Sequence, residues 1–402
     1  MMNTKRTHVL RRVLALVCTF VLLLSAFPVS ITAQAAGTND SKIIVSLGDS
    51  YSSGEGIPPF GDETTIPKKV KDPDWLAHRS KTSWSSMLTL PAVSGTMADH
   101  RNENWFFTAV SGAETVHLKG EQEKEYSKRD GLKKYKDKVN LPPQLDIFDQ
   151  LNGKKADYVT MTIGGNDAGF ANIIRDGVVF GSTYLKFGNL SAQLEDTWKK
   201  FYAEGGIQDN IRQAYKDVSM KAGEQAAIIV AGYPTLLAPG GALDFVAKEE
   251  SELINNNVRN FNSALESLVN SCRASGMNIH FVSVQEEFDG HEAHSDDPYL
   301  NEIKIPPQSE DLTGSPGSAY SVHPNLKGAQ AYARCVQAKI DELEGLKVEE
   351  YATRLNVSTL EADGSLCDDY TMKISGKQHI ALWGLISKDY EDEIVVTKAE
   401  PV

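Results

Sequence analysis

The stretch Gly48-Asp49-Ser50-Tyr51-Ser52-Ser53-Gly54-Glu55-Gly56, entered through the apolar run Ile43-Ile44-Val45-Ser46-Leu47, decides how this chain is read. A nearly continuous apolar, β-branched run that gives way to Gly, Asp and small hydroxyl residues predicts a strand buried on both faces and ending in a tight turn. Comparable runs recur at Trp105–Val110, Tyr158–Ile163, Ala227–Val230 and Ile279–Val282. Helical spacing of apolar residues lies between them, clearest over Leu253–Arg273 and over Pro324–Leu343, where a proline stands at the helix start. The alternation predicts an α/β three-layer sandwich on a mostly parallel, flavodoxin-like sheet of about five strands. Such sheets place their sites at the carboxyl ends of strands, which is where Ser50 falls.

Residues 1–35 read as an export signal. Lys5, Arg6, Arg11 and Arg12 form a basic start, an apolar stretch runs from Val13 to about Phe27, and Ala33-Gln34-Ala35 supplies a small-x-small cleavage pattern. The apolar stretch is shorter than the ~20 residues a membrane span needs, so no stable membrane insertion is expected. A secreted chain starting at Ala36, exported through a bacterial Sec-type signal, is the expectation. Losing residues 1–35 moves the formal charge from -13 to -17. Such a chain is repelled by nucleic acid and by anionic membranes, which argues against a nucleic-acid partner.

Of the four cysteines, Cys18 leaves with the signal; Cys272, Cys335 and Cys367 remain. Three scattered thiols make no disulfide framework and show no zinc-ligand spacing, leaving at most one bridge. His291 and His294 beside Asp296 and Asp297 lack the carboxylate pattern of a calcium loop, and they read as a polar loop rather than a metal site.

The length accommodates a main domain over 36–345 and a small β-rich appendage over 346–402. Two segments interrupt the main domain's rhythm. Residues 114–140 are dense in Lys, Glu and Asp and read as a solvated excursion. Residues 176–205 mix glycine with Phe180, Tyr184, Phe187 and Trp198, a candidate lid. In the appendage, short β segments are expected at Arg354–Thr359, Tyr370–Ile374, Ile380–Ile386 and Glu393–Thr397, with turns at Asp363-Gly364 and Ser375-Gly376.

Further motifs follow the first in order. Ser111-Gly112-Ala113 ends the second apolar run, Gly164-Gly165-Asn166-Asp167 ends the third, and Val322-His323-Pro324-Asn325, with Gly328 beyond, opens the last helix. Gly232-Tyr233-Pro234 and Phe288-Asp289-Gly290-His291 follow the fourth and fifth runs. Together these resemble the SGNH (GDSL-type) hydrolases over roughly residues 41–340. The opening block takes the G-D-S-Y-S-S-G form of that family's secreted bacterial lipase and esterase branch.

The resemblance implies a serine carboxylic-ester hydrolase working through an acyl-enzyme, with Ser50 as nucleophile and His323 as general base. A hydroxyl is a poor nucleophile at neutral pH and needs a base such as imidazole beside it. The oxyanion hole is then assigned to the backbone N–H groups of Ser50 and Gly112 and the side-chain amide of Asn166. No metal and no cofactor are expected. The implied substrate is a small-molecule, lipid or carbohydrate ester; chain length, alcohol half and oligomeric state stay open. A carbohydrate O-deacetylase of the same fold is the alternative enzyme. A non-catalytic binding protein is the reading from another class, and the joint presence of Ser50, Gly112, Asn166 and His323 argues against it. Asp49 and Asp167 read as loop organisers rather than proton carriers.

The chain departs from the family in two places. Most members carry Asp three positions before the catalytic His, where this chain has Tyr320. The resemblance suggests that a backbone carbonyl there, that of Tyr320, orients His323 in its place. The branch's usual disulfide is also missing, since its two positions correspond to Ala77 and Val110.

Overall fold

The computed structural model describes residues 42–61, 72–130, 133–170, 188–238, 248–303, 318–345, 370–381 and 386–396. The expected export signal, Cys367, the segment at 354–359, Asp363-Gly364 and the front half of the candidate lid lie outside these residues.

In chain order the elements are β1 (Ile44–Gly48), α1 (Ser50–Ser53), α2 (Pro73–Leu76), β2 (Trp105–Phe107), β3 (Gln122–Asp130), β4 (Lys133–Leu141) and β5 (Tyr158–Thr162). Then come α3 (Gly188–Tyr202), α4 (Ile207–Ala222), β6 (Ala227–Ala231), α5 (Lys248–Ala274), β7 (Ile279–Val282), α6 (Gln285–Phe288), α7 (Leu326–Leu343), β8 (Tyr370–Ala381) and β9 (Ile386–Val396). Each of the five apolar runs forms a strand of one parallel sheet, ordered β2-β1-β5-β6-β7. Counted within the sheet this is 2-1-3-4-5, the flavodoxin-like order. β1, β5 and β6 are buried at every position, so both faces of the sheet are covered, as continuous apolar runs require. The chain order reverses between β1 and β5, the switch point at which such sheets open a crevice.

The end of β1 is held tightly. Gly48 has φ +120°, and a Cβ there would lie 2.3 Å from the Thr162 carbonyl oxygen on β5. Gln144 brackets the same residue: its Oε1 accepts the Gly48 N–H at 2.8 Å and its Nε2 donates to the Gly48 carbonyl at 2.9 Å. The glycine therefore lets two backbones close together just before Ser50.

Helix α5 carries Asn255 and Asn262 on one buried face. Asn255 accepts from the N–H groups of Leu236 and Leu237 and donates to the Leu237 carbonyl, and Asn262 makes the same two-way grip on Tyr233. The loop after β6 is thus fixed from the helix. Helix α7 begins at Leu326, two residues beyond the expected proline start. The Asn325 side chain caps it by accepting the Gly328 N–H at 3.1 Å, which leaves Pro324 outside the helix. Tyr332 of α7 donates to the Gly232 carbonyl at 2.8 Å and stacks on Trp84, both fully buried.

The charged stretch 114–140 contains a short 3-10 turn (Thr115–Leu118) and then the antiparallel hairpin β3–β4. Opposite charges meet across its strands, with Lys138 Nζ 2.6 Å from Glu123, but the hairpin's start is no free excursion: Gln122 is buried and Lys124 half-buried. In the second interruption, α3 is tied to α5 by Trp198 Nε1 donating to Asn257 at 2.8 Å, so Trp198 serves packing there.

The appendage differs from the expectation. Its described part is one antiparallel pair, β8–β9. Ser375 and Gly376, read as a turn, lie within β8 opposite Glu391 and Tyr390. β8 instead continues to Ala381 and β9 opens at Ile386, so the stretch Ile380–Ile386, read as one strand, holds the end of one strand and the start of the next. Local turn propensity yields here to the hydrogen bonds of a long ladder, in which a glycine is tolerated. Cys272 and Cys335 are both free thiols.

Gly48→Ala is expected to destabilise the fold by about 3 kcal/mol, from a strained φ and a backbone clash together. Urea unfolding of the variant against the parent protein measures it.

Candidate active site

Asp49 closes the first turn after β1. Its Oδ1 accepts the Tyr51 N–H at 3.0 Å and the Thr162 hydroxyl at 2.6 Å, and its Oδ2 accepts the Tyr233 hydroxyl at 2.5 Å. Three segments, those following β1, β5 and β6, are joined by this one carboxylate. Burial pushes its pKa up to about 6 against the lowering effect of these donors. Tyr233 continues the chain, since its oxygen accepts the Gly165 N–H at 3.2 Å.

Ser50 opens α1, 8% exposed, and its Oγ lies 2.8 Å from His323 Nε2. The two residues are 273 positions apart in sequence. His323 is carried by a tight turn before α7, in which the Ser321 N–H bonds to Ser318 O and Val322 holds φ +55°. Asn301 holds that turn from outside: its N–H donates to the His323 carbonyl at 2.8 Å, and its carbonyl accepts the Val322 N–H at 3.0 Å. The Tyr51 ring lies 4.9 Å from the imidazole, and its hydroxyl donates to the Val322 carbonyl at 2.9 Å.

The acceptor for His323 Nδ1 corrects the sequence expectation. The imidazole is bonded by the carbonyls of Ser321, at 3.2 Å from Nδ1, and of Ala319, and not by that of Tyr320. The Tyr320 carbonyl is taken by the His323 backbone N–H at 3.2 Å, a bond that closes the turn. The left-handed Val322 turns the chain so that the ring reaches the carbonyl two residues back. Burial lowers the His323 pKa, while the nearby Glu55 charge and the carbonyls of Ser321 and Ala319 pull it up. The net direction is downward, which favours a neutral imidazole at neutral pH.

Gly112 and Asn166 lie in the loops that follow β2 and β5. Gly112 has φ +75° and is exposed. Asn166 is half-buried and donates from Nδ2 to the Ala113 carbonyl at 2.9 Å, which ties it to the Gly112 loop. Asp167 fastens the same loop one step on, accepting the Thr115 N–H at 3.0 Å. The backbone N–H groups of Ser50 and Gly112 have no acceptor among the described residues.

Several residues around the site were not singled out from sequence. Glu55 is buried at 1% exposure, and its two oxygens each lie 2.8 Å from His78 Nδ1. His78 is buried against Phe60, ring centroids 4.4 Å apart. Burial by itself would raise the Glu55 pKa, but His78, His323 and the Ser111 hydroxyl together lower it to about 2. Hydrogen bonds join the segments that carry Ala77 and Val110. The Ser111 N–H donates to Ala77 O at 2.9 Å, and Arg79 donates to Ala109 O at 2.8 Å and Thr108 O at 3.2 Å. Glu55 stood inside the quoted motif and His78 beyond it, but only their contact marks them.

The histidines of the 291–297 loop are engaged locally. His291 Nδ1 meets the Asp297 carbonyl at 2.7 Å and its ring stacks on Tyr299, while His294 Nε2 accepts the Ile303 N–H at 3.1 Å. Among the described residues no group of three or more His, Cys, Asp or Glu side chains is placed to hold a metal ion.

Residues 44–336 match the protein family described as GDSL-like Lipase/Acylhydrolase. A lipase from Streptomyces rimosus is 27% identical over 318 residues, spanning 78% of this chain and 96% of that protein. Lipase 1 of Streptomyces coelicolor is 25% identical over 273 residues, 68% of this chain and 80% of that one. Two crystal structures share the fold, each with a TM-score of 0.50 over 74% of this chain and 99% of its own. They are the extracellular lipase of Streptomyces rimosus, at 22% identity, and phospholipase A1 of Streptomyces albidoflavus NA297, at 23%.

Since Glu55 is depressed from 4.5 to about 2, it contributes stability that is present above pH 4.5 and lost as pH falls through that window to 2. The contribution is on the order of 3 kcal/mol. Glu55→Gln should lose it at pH 7, and the gap between variant and parent should close towards pH 2. Melting temperatures of the two proteins from pH 2 to 7 give the comparison; a gap independent of pH would contradict it.

Proposed function

Because the chain belongs to the GDSL-like lipase/acylhydrolase family of carboxylic-ester hydrolases, we propose that it cleaves its ester with Ser50 as nucleophile and His323 as base. The observation that carries this reading is the 2.8 Å contact between Ser50 Oγ and His323 Nε2. In the first step His323 Nε2 takes the Ser50 proton as Oγ attacks the carbonyl carbon, while Nδ1–H stays on the Ser321 carbonyl and stabilises the imidazolium. Negative charge then builds on the substrate oxygen. The N–H groups of Ser50 and Gly112, which have no acceptor among the described residues, and the remaining Asn166 amide hydrogen are its donors. His323 returns its proton to the leaving alcohol, and an acyl-Ser50 remains. Water repeats the sequence against the acyl group, regenerating Ser50.

Among the described residues no carboxylate is hydrogen-bonded to His323 Nδ1, and the Glu55 oxygens are engaged by His78. Glu55 acts on the imidazole only through space, where its charge favours the cation that forms during attack. Export fits the same reading: the similar Streptomyces rimosus lipase is described as extracellular, and residues 1–35 carry the signal pattern. Protein recovered from culture medium should begin at Ala36.

Ser50→Ala is expected to abolish ester turnover with the fold intact, and a p-nitrophenyl phosphonate should label Ser50 alone, read by peptide mass spectrometry. A label elsewhere would overturn the assignment. Asn166→Ala should lower kcat on the order of 10²–10³ with little change in KM, the loss usual for one oxyanion donor.

The base must be neutral to act, so kcat/KM should fall as pH drops through the His323 pKa. That midpoint is expected below the ordinary 6.5. Rates with p-nitrophenyl esters from acetate to palmitate, set beside acetylated xylan, give both this profile and the substrate class.

A further inference from the structure

Neither Gln122 nor Lys124 takes part in the chemistry of Ser50 and His323, yet both reach from β3 to one atom. Gln122 Nε2 lies 3.0 Å, and Lys124 Nζ 2.7 Å, from the carbonyl oxygen of Ser111. That carbonyl is one end of a peptide group whose other end is the Gly112 N–H. The group is planar and rigid, with C=O and N–H pointing in opposite directions, so fixing the oxygen aims the hydrogen. Gly112 cannot fix the plane itself. It lacks a Cβ, sits at φ +75°, and is so open that the nearest atom to a Cβ there would be Gln122 Nε2, at 3.8 Å.

We propose that Lys124, assisted by Gln122, is a positioning residue for the oxyanion hole, holding the Ser111–Gly112 peptide so that the Gly112 N–H faces the developing oxyanion. The proposal rests on the oxyanion role of Gly112 given above. A cationic donor does more than orient. It draws electron density to the carbonyl oxygen and leaves the N–H at the other end of the peptide a stronger donor. The effect reaches the substrate only when negative charge forms there, so it belongs to kcat rather than to ground-state binding. The hairpin thereby gains a part in the reaction, since it delivers a charge to the back of the catalytic loop without exposing it to the substrate.

The charged groups around Lys124 come from several elements. Glu55 lies after α1, Arg79 after α2, and His117 in the 3-10 turn before the hairpin; Lys138 on β4 is paired with Glu123. Burial brings the Lys124 ammonium down to about 8, with Glu55 opposing that shift and Arg79 adding to it. The neutral amine can still donate a hydrogen bond, but it no longer polarises the peptide. An alkaline loss of kcat with a midpoint near 8 is therefore the expected behaviour of the wild-type enzyme.

The test measures kcat and KM of wild type, Lys124→Met and Lys124→Arg with p-nitrophenyl butyrate from pH 6 to 10, with active sites counted by phosphonate titration of Ser50. Lys124→Met should lower kcat on the order of 10–10², less than loss of a donor outright, with KM within about twofold and no alkaline limb. Lys124→Arg should restore most of kcat and move the limb beyond about pH 10, because guanidinium stays charged there. A Lys124→Met enzyme with full Ser50 occupancy, wild-type kcat and an unchanged limb overturns the proposal and leaves Ser50 and His323 untouched. If Lys124→Met does not fold, an alkaline limb unmoved in Lys124→Arg overturns it equally. A wild-type enzyme that fails to label at Ser50 overturns both the proposal and the reading beneath it.

Discussion

The Asp49 carboxylate is the constraint on which the site depends. It is buried at 1% exposure and takes hydrogen bonds from Tyr51, Thr162 and Tyr233, so the segments after β1, β5 and β6 cannot move independently. Burying it is costly, as its pKa of about 6 records. The sign of the linkage is opposite to that of Glu55. The raised pKa means that the contribution of Asp49 to stability is most favourable below 3.8 and falls as pH rises to 6, since the unfolded chain ionises there more readily than the folded one. A group that weakens the fold at neutral pH is retained because its three bonds fix the turn that presents Ser50. Sites that must be held in one geometry commonly accept such a loss of stability.

Around this knot the loops are fastened in sequence. Tyr233 links Asp49 to Gly165, Asn166 and Asp167 link the third loop to Ala113 and Thr115, and Ser111 and Arg79 link the second loop to Ala77 and Ala109. Two of these links pass over an intervening strand, the loop after β6 reaching Asp49 past β5 and the loop after β5 reaching the loop after β2 past β1. A third fastens the loop after β2 to the segment after α2. A parallel sheet brings those ends together but leaves their loops free to diverge, so the edge must be stitched by side chains. Asn255 and Asn262 on α5 do the same for the loop after β6.

The five strands were legible because burial on both faces writes itself as continuous apolar runs, and Ser50, Gly112, Asn166 and His323 stood out as candidates because each belongs to a short local motif. Of these the structure brings Ser50 and His323 into contact. Partners contributed from far along the chain were not. Nothing in the local sequence of Gln144 indicates that it brackets Gly48, and Lys124 stands in a run of charges that reads as solvated surface. The hairpin β3–β4 escaped for the same reason: opposite charges on paired strands leave no apolar alternation to detect. The Nδ1 acceptor was misplaced by one residue because spacing counts positions, whereas the choice between the Tyr320 and Ser321 carbonyls is made by the left-handed Val322. In the appendage a serine–glycine pair signalled a turn, and a long ladder overrode it.

The separation of Ser50 from His323 has a temporal consequence. A chain emerging from the ribosome presents Ser50, the Gly112 loop and Asn166 long before His323, which precedes α7. Domains condense as units during synthesis, and long-range pairings form late because loop closure must come first. The Ser50 hydroxyl therefore gains its imidazole neighbour only when the turn before α7 is in place, with α7 docked through Tyr332 against Trp84 and Gly232. Completion of the fold and closure of the Ser50–His323 contact are one event.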